Sequence, residues 1–257
     1  MIKWLRRAWF KHVLFRSRVP YPIWHHCIRS SPILLSLDHM EEHRLRQLTG
    51  IFLREKSFSA ADGLQLTDAM CLLIAAQACL LILNLELDYY DGWHEIIVYP
   101  GAFMVKRDER DLAGVVHRSK QALAGESWSR GPVVLSWDSI VNSQKPGNTA
   151  NVIVHEFAHK LDMLNGSADG FPPLHRNMKL ADWTEAFSSA FEHLTTHQHQ
   201  QDIDAYGATS PGEFFAVVSE AFFVQPLHLH KVYPDVYKAL MLFYRQDPAS
   251  RLSSHPA

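Results

Sequence analysis

The segment "HEFAHKLD" (155–162) has two histidines four positions apart, with a glutamate directly after the first. In a helix, positions i and i+4 differ by about 40° around the axis, so His155 and His159 would lie on one face. Two imidazoles one turn apart can bind a single tetrahedral metal ion. A neighbouring carboxylate, here Glu156, can act on a water at that ion. The spacing therefore indicates a zinc site with hydrolytic chemistry.

The surroundings of this motif make coincidence the weaker explanation. With 16 histidines in 257 residues, chance alone predicts about 0.05 occurrences of the pattern His-Glu-x-x-His. The flanking residues Val152, Ile153, Val154, Phe157 and Leu161 are apolar and predict a buried helix. Two histidines and a glutamate in a buried helix need polar partners, which one metal ion would supply. The alternative is a pair of hydrogen-bonded core histidines beside a surface glutamate.

A catalytic zinc site needs a third protein ligand and an open position for water. Glu213 and Glu220 in "SPGEFFAVVSEAFF" (210–223) are seven positions apart, so they share one helical face. Glu213 has a second explanation, because Ser210 and Glu213 fit a capping box with Pro211 at the first helical position. Spacing alone leaves the choice between the two glutamates open.

Hydrophobic periodicity predicts the elements that position these residues. The first 90 residues have a mainly helical pattern, including an amphipathic helix at 36–56 with Met40 on its apolar face. The segments 105–114 and 119–127 are predicted to be turns or connections, and a polar tail follows residue 246. Strands are predicted at 95–100 and 131–137, and helices at 69–87, 151–164, near 181–197, at 210–223 and at 234–246.

Helices followed by strands and then by more helices predict an α+β fold. We expect residues 1–90 to form a helical region packed on a catalytic region at 91–257, as one compact unit. The apolar run 69–87 is interrupted by Gln77 and is too short to cross a bilayer, which takes about 20 residues, so we expect a buried core helix and no membrane span.

Charge and cysteine content restrict the location and the partners. The formal net charge of −2 gives no electrostatic reason to expect nucleic-acid binding. Cys27, Cys71 and Cys79 form neither a Cys-x-x-Cys pair nor a disulfide framework, which favours the cytoplasm. The basic segment 1–20 is predicted either to pack on the body or to contact a membrane surface or a partner.

The sequence resembles the Mlc titration factor A family of bacterial zinc peptidases. The resemblance is carried by "HEFAHKLDMLNG" (155–166), "DAYGATSPGEFFAVVSEAFF" (204–223) and N-terminal stretches such as "IIVYPGAF" (96–103). The C-terminal half is also similar to the catalytic domain of anthrax lethal factor. Both resemblances imply a zincin-like metallopeptidase domain with an active-site helix and a small mixed sheet. They imply that Glu213 is the third ligand of one Zn²⁺ per chain and that Tyr206 stabilises the transition state.

The resemblance also implies a mechanism in which Glu156 is the general base for a water at the zinc ion. Ligating imidazoles usually donate their second N–H to a carboxylate, and either Asp162 or Glu220 is a candidate acceptor, unless it pairs with a lysine or arginine instead. The strand "VVLSW" (133–137) has the place in sequence of the edge strand that lines the cleft in zincins. An extended peptide would add to such an edge, whereas the alternative is an ordinary core strand.

The expected function is therefore a zinc-dependent peptidase, in particular an aminopeptidase, that acts as a monomer on peptide substrates. The family also binds the glucose repressor Mlc, which implies a role in transcription regulation. The alternative is a non-catalytic protein that sequesters the repressor and in which zinc is structural.

Overall fold

The computed structural model of the protein places helices around a small central sheet. Residues 1–18, which hold most of the basic N-terminal segment, lie outside the described residues. The structure describes residues 19–110, 116–123, 125–127, 131–196 and 203–254.

Two long helices in the first half of the chain begin where the sequence supplies a capping side chain. Asp38 Oδ1 accepts 2.8 Å hydrogen bonds from the backbone N–H groups of Met40 and Glu41, and the Glu41 carboxylate accepts from Asp38 N to complete a capping box. Thr67 Oγ1 caps the apolar helix by accepting from Met70 N at 3.3 Å. These helices are α1 (Tyr21–Arg29), α2 (His39–Glu55), α3 (Asp68–Leu81) and α4 (Trp137–Ser143).

The predicted apolar faces are mostly confirmed. Helix α3 is the buried core helix that the run 69–87 predicts, although it already ends at Leu81. In α2, Leu45 and Phe52 are fully buried. Met40 was predicted to lie on the apolar face, but it is 78% exposed. It lies in the first turn of α2, outside the packed surface.

Two groups of strands lie between the helices. The first is a four-stranded mixed sheet in the order β1-β2-β6-β5, with β5 antiparallel to β6 and the other neighbours parallel. In this sheet Ile96 pairs with Val133 and Val98 with Leu135, and all four side chains are 0% exposed. The second is the antiparallel ribbon β3-β4. The strands are β1 (Ser57–Ala60), β2 (Glu95–Tyr99), β3 (Phe103–Arg110), β4 (Val116–Leu123), β5 (Gly125–Ser127) and β6 (Val133–Ser136).

Several strands differ from the sequence predictions. Residues 105–110, 119–123 and 125–127 pair in β3, β4 and β5, which corrects the turns predicted there, and the rest of these two segments lies outside the described residues. Backbone hydrogen bonds between neighbouring strands form such ladders even where the sequence has no regular apolar pattern. The prediction that 133–137 forms an edge strand is also wrong. Strand β6 has β2 on one side and β5 on the other, so β5 forms the edge of the sheet on that side.

The helices predicted at 151–164, near 181–197, at 210–223 and at 234–246 begin within one residue of their predicted starts, whereas Pro226–Val232 was not predicted. Asn151 caps α5 by accepting from Ile153 N and Val154 N at 3.1 Å, and Ser210 caps α7, in which Pro211 is the first residue. The polar tail contains a helix that the sequence does not predict. The helices are α5 (Val152–Asp162), α6 (Leu180–Thr196), α7 (Pro211–Val224), α8 (Pro226–Val232), α9 (Pro234–Tyr244) and α10 (Pro248–Ser254).

A hydrophobic core with residues from both halves of the chain surrounds α5. Phe157 of this helix packs against Phe52, Tyr90 and Trp93, with ring centroids 5.3–5.9 Å apart. The α+β prediction is confirmed, whereas the division at residue 90 stays a prediction. In the described parts of the chain, no helix combines the length and the apolarity that a membrane crossing needs.

Candidate metal centre

Helix α5 brings the two motif histidines together. The ring centroids of His155 and His159 are 4.8 Å apart at an interplanar angle of 80°. Their Nε2 atoms are 3.2 Å apart, so both nitrogens face the same point. This arrangement follows from the i, i+4 spacing on one helix.

Glu213 reaches the same point from the first turn of α7. Its Oε2 atom lies 3.1 Å from His155 Nε2 and 3.3 Å from His159 Nε2. Ser210 Oγ accepts a 3.2 Å hydrogen bond from Glu213 N and thereby fixes the backbone of this turn. The serine therefore caps the helix, while the glutamate carboxylate is directed at α5.

The three atoms have the geometry and chemistry of a metal-binding set. Each of His155, His159 and Glu213 offers one ligand atom, and these three atoms all lie within 4.8 Å of one another. Bonds of about 2.0–2.1 Å in a tetrahedral site place the ligand atoms about 3.3 Å apart, close to the observed separations of 3.1–3.3 Å. Two imidazole nitrogens and one carboxylate oxygen also match the ligand types of catalytic zinc sites. The residues therefore fit a zinc ion.

The electrostatics of the cluster favour a positive charge at this point. Burial lowers the pKa of His155, but hydrogen bonds to Glu213 and Glu220 outweigh it and raise this pKa well above the ordinary value. Burial raises the pKa of Glu213, but the two imidazoles outweigh it and hold this pKa well below the usual range. The carboxylates thus stabilise a cation beside them, which is the charge that a divalent metal would supply.

Glu220 lies on the other side of the His155 ring. Its Oε1 atom is 3.2 Å from His155 Nδ1, and its Oε2 accepts from Asn151 N at 3.4 Å. The two glutamates on one face of α7 thus differ in their contacts: Glu213 faces the Nε2 atoms, and Glu220 contacts the opposite nitrogen of one ring. The sequence left this choice open.

Asp162 is fully buried and does not contact an imidazole by a hydrogen bond. Its Oδ2 accepts from Gly170 N at 2.8 Å, which ties the end of α5 to the following loop. Within the described residues, Asp162 Oδ1 and His159 Nδ1 are both buried without a hydrogen-bond partner. Burial raises the pKa of Asp162 to about 6, against the hydrogen bond from Gly170.

The two predicted catalytic residues both lie beside His155. Glu156 follows it in α5 and is only 4% exposed. Tyr206 belongs to the 3-10 turn Ala205–Ala208, where its ring centroid is 6.1 Å from that of His155. Its side chain is 39% exposed, so it borders the metal-binding cluster on the solvent side.

Lys160 is a buried charge that the sequence analysis missed. It directly follows His159, is 3% exposed, and donates a 2.8 Å hydrogen bond from Nζ to Gly131 O. Its Nζ lies 4.8 Å from the ring centroid of Trp93, and Lys56 Nζ lies 4.0 Å from the same centroid. A lysine directly after a motif histidine, in a helix predicted to be buried, was the available sign in the sequence.

The chain is similar to known proteins over most of its length. Mlc titration factor A of Klebsiella pneumoniae is 37% identical over 225 residues, which cover 86% of this chain and 84% of that protein. Mlc titration factor A of Yersinia pestis and of Yersinia pseudotuberculosis is 35% identical over 258 residues, which cover 98% of this chain and 93% of those proteins. The resemblance to the Mlc titration factor A family is thus confirmed. Because residues 2–245 also match the family model, the chain belongs to the glucose-regulated metallo-peptidase M90 family.

Proposed function

We propose that the protein is a zinc-dependent peptidase with one Zn²⁺ per chain, held by His155, His159 and Glu213. The observation that carries the proposal is the convergence of two Nε2 atoms and one Oε2 atom at separations of 3.1–3.3 Å. Membership of a metallo-peptidase family supports the same reaction class.

A bound zinc ion would supply a Lewis acid and lower the pKa of a water molecule from 15.7 to about 7. Glu156, buried beside the cluster, accepts the proton of the attacking water and delivers it to the leaving amine as the C–O bond forms and the C–N bond breaks. Tyr206, at the solvent side, donates a hydrogen bond to the oxyanion that develops on the scissile carbonyl.

Two carboxylates would orient the ligating imidazoles. Glu220 accepts the Nδ1 proton of His155, which leaves Nε2 free to bind the metal. Asp162 is the candidate acceptor for His159 Nδ1, because both atoms are buried without a hydrogen-bond partner in the described parts of the chain and lie three positions apart on α5. A hydrogen bond between them, direct or through a bridging water, would satisfy both atoms and leave His159 Nε2 to bind the metal.

We propose a peptide substrate and an aminopeptidase specificity. Strand β5, at the end of the four-stranded sheet, offers the backbone edge to which an extended peptide would add, in place of the segment 133–137. The cytoplasm is the proposed location, because Cys27, Cys71 and Cys79 are free in the structure. We further propose that the protein acts as a monomer.

Binding of the transcriptional repressor Mlc is the second candidate function. The relatives of this chain are named Mlc titration factor A, which supports binding of the same or an equivalent repressor. Such binding would give the protein a regulatory role. It would be the main function if the metal centre proved to be structural.

A single substitution separates the two functions. Glu156→Gln removes the proton acceptor but none of the metal ligands. We therefore expect hydrolysis of a panel of aminoacyl and peptide p-nitroanilides to be lost, with zinc content and thermal unfolding unchanged. Repressor binding, measured by titration calorimetry, should survive in this variant. A wild-type protein that carries a full equivalent of zinc and cleaves no member of the panel would contradict the peptidase proposal.

A further inference from the structure

Gln77 is the polar residue that interrupts the apolar run of α3, and it is completely buried. Because Gln77 is 0% exposed, its amide has no contact with solvent, and its neighbours Ala76 and Ala78 are also 0% exposed. Burying an amide is unfavourable unless its donor and acceptor groups find partners. An apolar side chain of similar length would fill the same space without that requirement.

Both ends of the Gln77 amide are hydrogen-bonded. Its Nε2 donates to Ser31 Oγ and to Gln144 Oε1, each at 2.8 Å. Its Oε1 accepts from Asn151 Nδ2 at 3.0 Å. One buried side chain thus joins the segment before residue 32, the end of α4 and the start of α5.

The bond to Asn151 determines which way the capping amide points. Asn151 Oδ1 accepts from Ile153 N and Val154 N, and these bonds cap α5. With the carbonyl end facing these two N–H groups, the buried Nδ2 end faces the opposite side, where lack of an acceptor would cost free energy. Gln77 Oε1 is that acceptor, so it holds the capping residue in the required rotamer.

The chain of hydrogen bonds continues to the metal-binding cluster. Asn151 N donates to Glu220 Oε2 at 3.4 Å, and Glu220 Oε1 contacts His155 Nδ1 at 3.2 Å. We propose that Gln77 is a positioning residue, which fixes the first turn of α5 and Glu220 and thereby aims His155 Nε2 at the metal. This inference rests on the proposed zinc centre.

If Gln77 positions His155, its replacement lowers the affinity for zinc. If Gln77 only packs in the core, its replacement changes stability but not zinc affinity. Gln77→Met keeps the length and apolar contacts of the side chain but leaves Asn151 Nδ2 without an acceptor. Partners that orient a metal ligand usually contribute about 10- to 100-fold to metal affinity. Gln77 acts on His155 through Asn151 and Glu220, so we expect the zinc affinity of Gln77→Met to fall by about tenfold, the lower end of this range.

Asn151→Ser tests the same bond from the other side. Serine caps helices about as well as asparagine, but it has no amide to bond with Gln77. We expect a similar loss of zinc affinity, and the double variant should lose little more than either single variant, because both changes remove one bond. Additive losses in the double variant would overturn the proposal.

Ser31→Ala is the matched control, because it removes a 2.8 Å hydrogen bond of the same amide but leaves Asn151 in contact with Gln77. The measurements are chelator competition for zinc on the metal-free, full-length protein and thermal unfolding of the same samples. Ser31→Ala should lower the unfolding temperature and leave zinc affinity unchanged. If Gln77→Met behaves in the same way, Gln77 only stabilises the core and the proposal is wrong.

The outcomes also separate this inference from the zinc proposal. A wild type that binds zinc no more tightly than His155→Ala overturns the metal centre, and the inference with it. A wild type that binds tightly, together with unchanged affinity in both Gln77→Met and Asn151→Ser, overturns the inference alone. If Gln77→Met does not fold, Asn151→Ser decides the question, because its helix cap is retained.

Discussion

At the candidate metal centre, the proposed role of each glutamate depends on which atom its carboxylate contacts. Glu213 and Glu220 are the same residue type on the same face of α7. Glu213 Oε2 meets both Nε2 atoms of the motif histidines, whereas Glu220 Oε1 meets Nδ1 of His155. A carboxylate at Nε2 shares the metal position, and a carboxylate at Nδ1 sets the tautomer and orientation of the ring.

This difference predicts unequal losses of zinc. Glu213→Ala should abolish tight zinc binding, because two histidines alone form an incomplete site. Glu220→Gln should weaken the affinity by about 10- to 100-fold, because it removes only the charge that orients His155. Zinc content after dialysis and chelator competition would measure both effects. Equal loss in the two variants would contradict the assignment of Glu213 as the ligand.

Tyr206 is predicted to act on the transition state alone. Tyr206→Phe keeps the ring beside His155 but removes the hydroxyl, so zinc affinity should not change. Loss of an oxyanion donor typically costs about 3 kcal/mol of barrier, or about 10²-fold in kcat. Steady-state kinetics on a cleaved p-nitroanilide would show a lower kcat with little change in KM. A change in KM alone would point to substrate binding instead.

At the scale of elements, the loop after α5 sets where α7 begins. The loop is held by Asp162 through Gly170 N, and it passes very close to the first residues of α7. A Cβ on Gly212 would lie 2.5 Å from Ala168 O, and a Cβ on Gly170 would lie 2.6 Å from Pro211 O. Both glycines therefore permit a backbone contact that places the turn carrying Glu213 against the end of α5.

Gly212→Ala should destabilise the fold even though alanine is the better helix former. The steric conflict with the loop is of the kind that costs about 1–3 kcal/mol, and relief by a shift of α7 would move Glu213 and weaken zinc binding. Denaturant unfolding and zinc competition would measure the two effects. Gly147→Ala is the control: its φ of +80° causes strain, but no atom lies within 4 Å, so zinc affinity should be unaffected.

For the molecule as a whole, two buried lysines connect stability to pH. Lys56 and Lys160 lie over the ring of Trp93, and burial lowers the pKa of each to about 8. In the unfolded chain a lysine has a pKa of about 10.4, so between pH 8 and pH 10 the unfolded state binds more protons. Each lysine therefore makes the free energy of unfolding rise with pH in this window.

A comparison with Lys56→Met isolates this effect. It is needed because burial also raises the pKa of Cys27, Cys71 and Cys79, which lowers stability with increasing pH over part of the same range. We expect the unfolding free energy of the wild type to rise relative to Lys56→Met by less than about 1.4 kcal/mol per pH unit, the limit for one proton. Urea unfolding at several pH values would measure it. A constant difference from pH 8 to pH 10 would contradict the lowered pKa of Lys56.

Much of this protein is predictable from its sequence because local interactions decide it. The pair His155 and His159, the buried helix α3 and the start of α7 at Ser210 and Pro211 depend on residues within one or two turns of each other. The hydrogen bonds that begin a helix and the face that a side chain occupies are determined over that range, whatever the rest of the chain does.

Contacts between distant segments were decided only in the tertiary structure. The parallel pairing of β2 with β1 and β6 and the bond from Gln77 to Asn151 join segments far apart in sequence, and their spacing carries no information about their pairing. The same holds for the choice between Glu213 and Glu220, since both satisfy the helical period. Which of them reaches the histidines depends on how α7 packs across α5, and that packing is a property of the whole core.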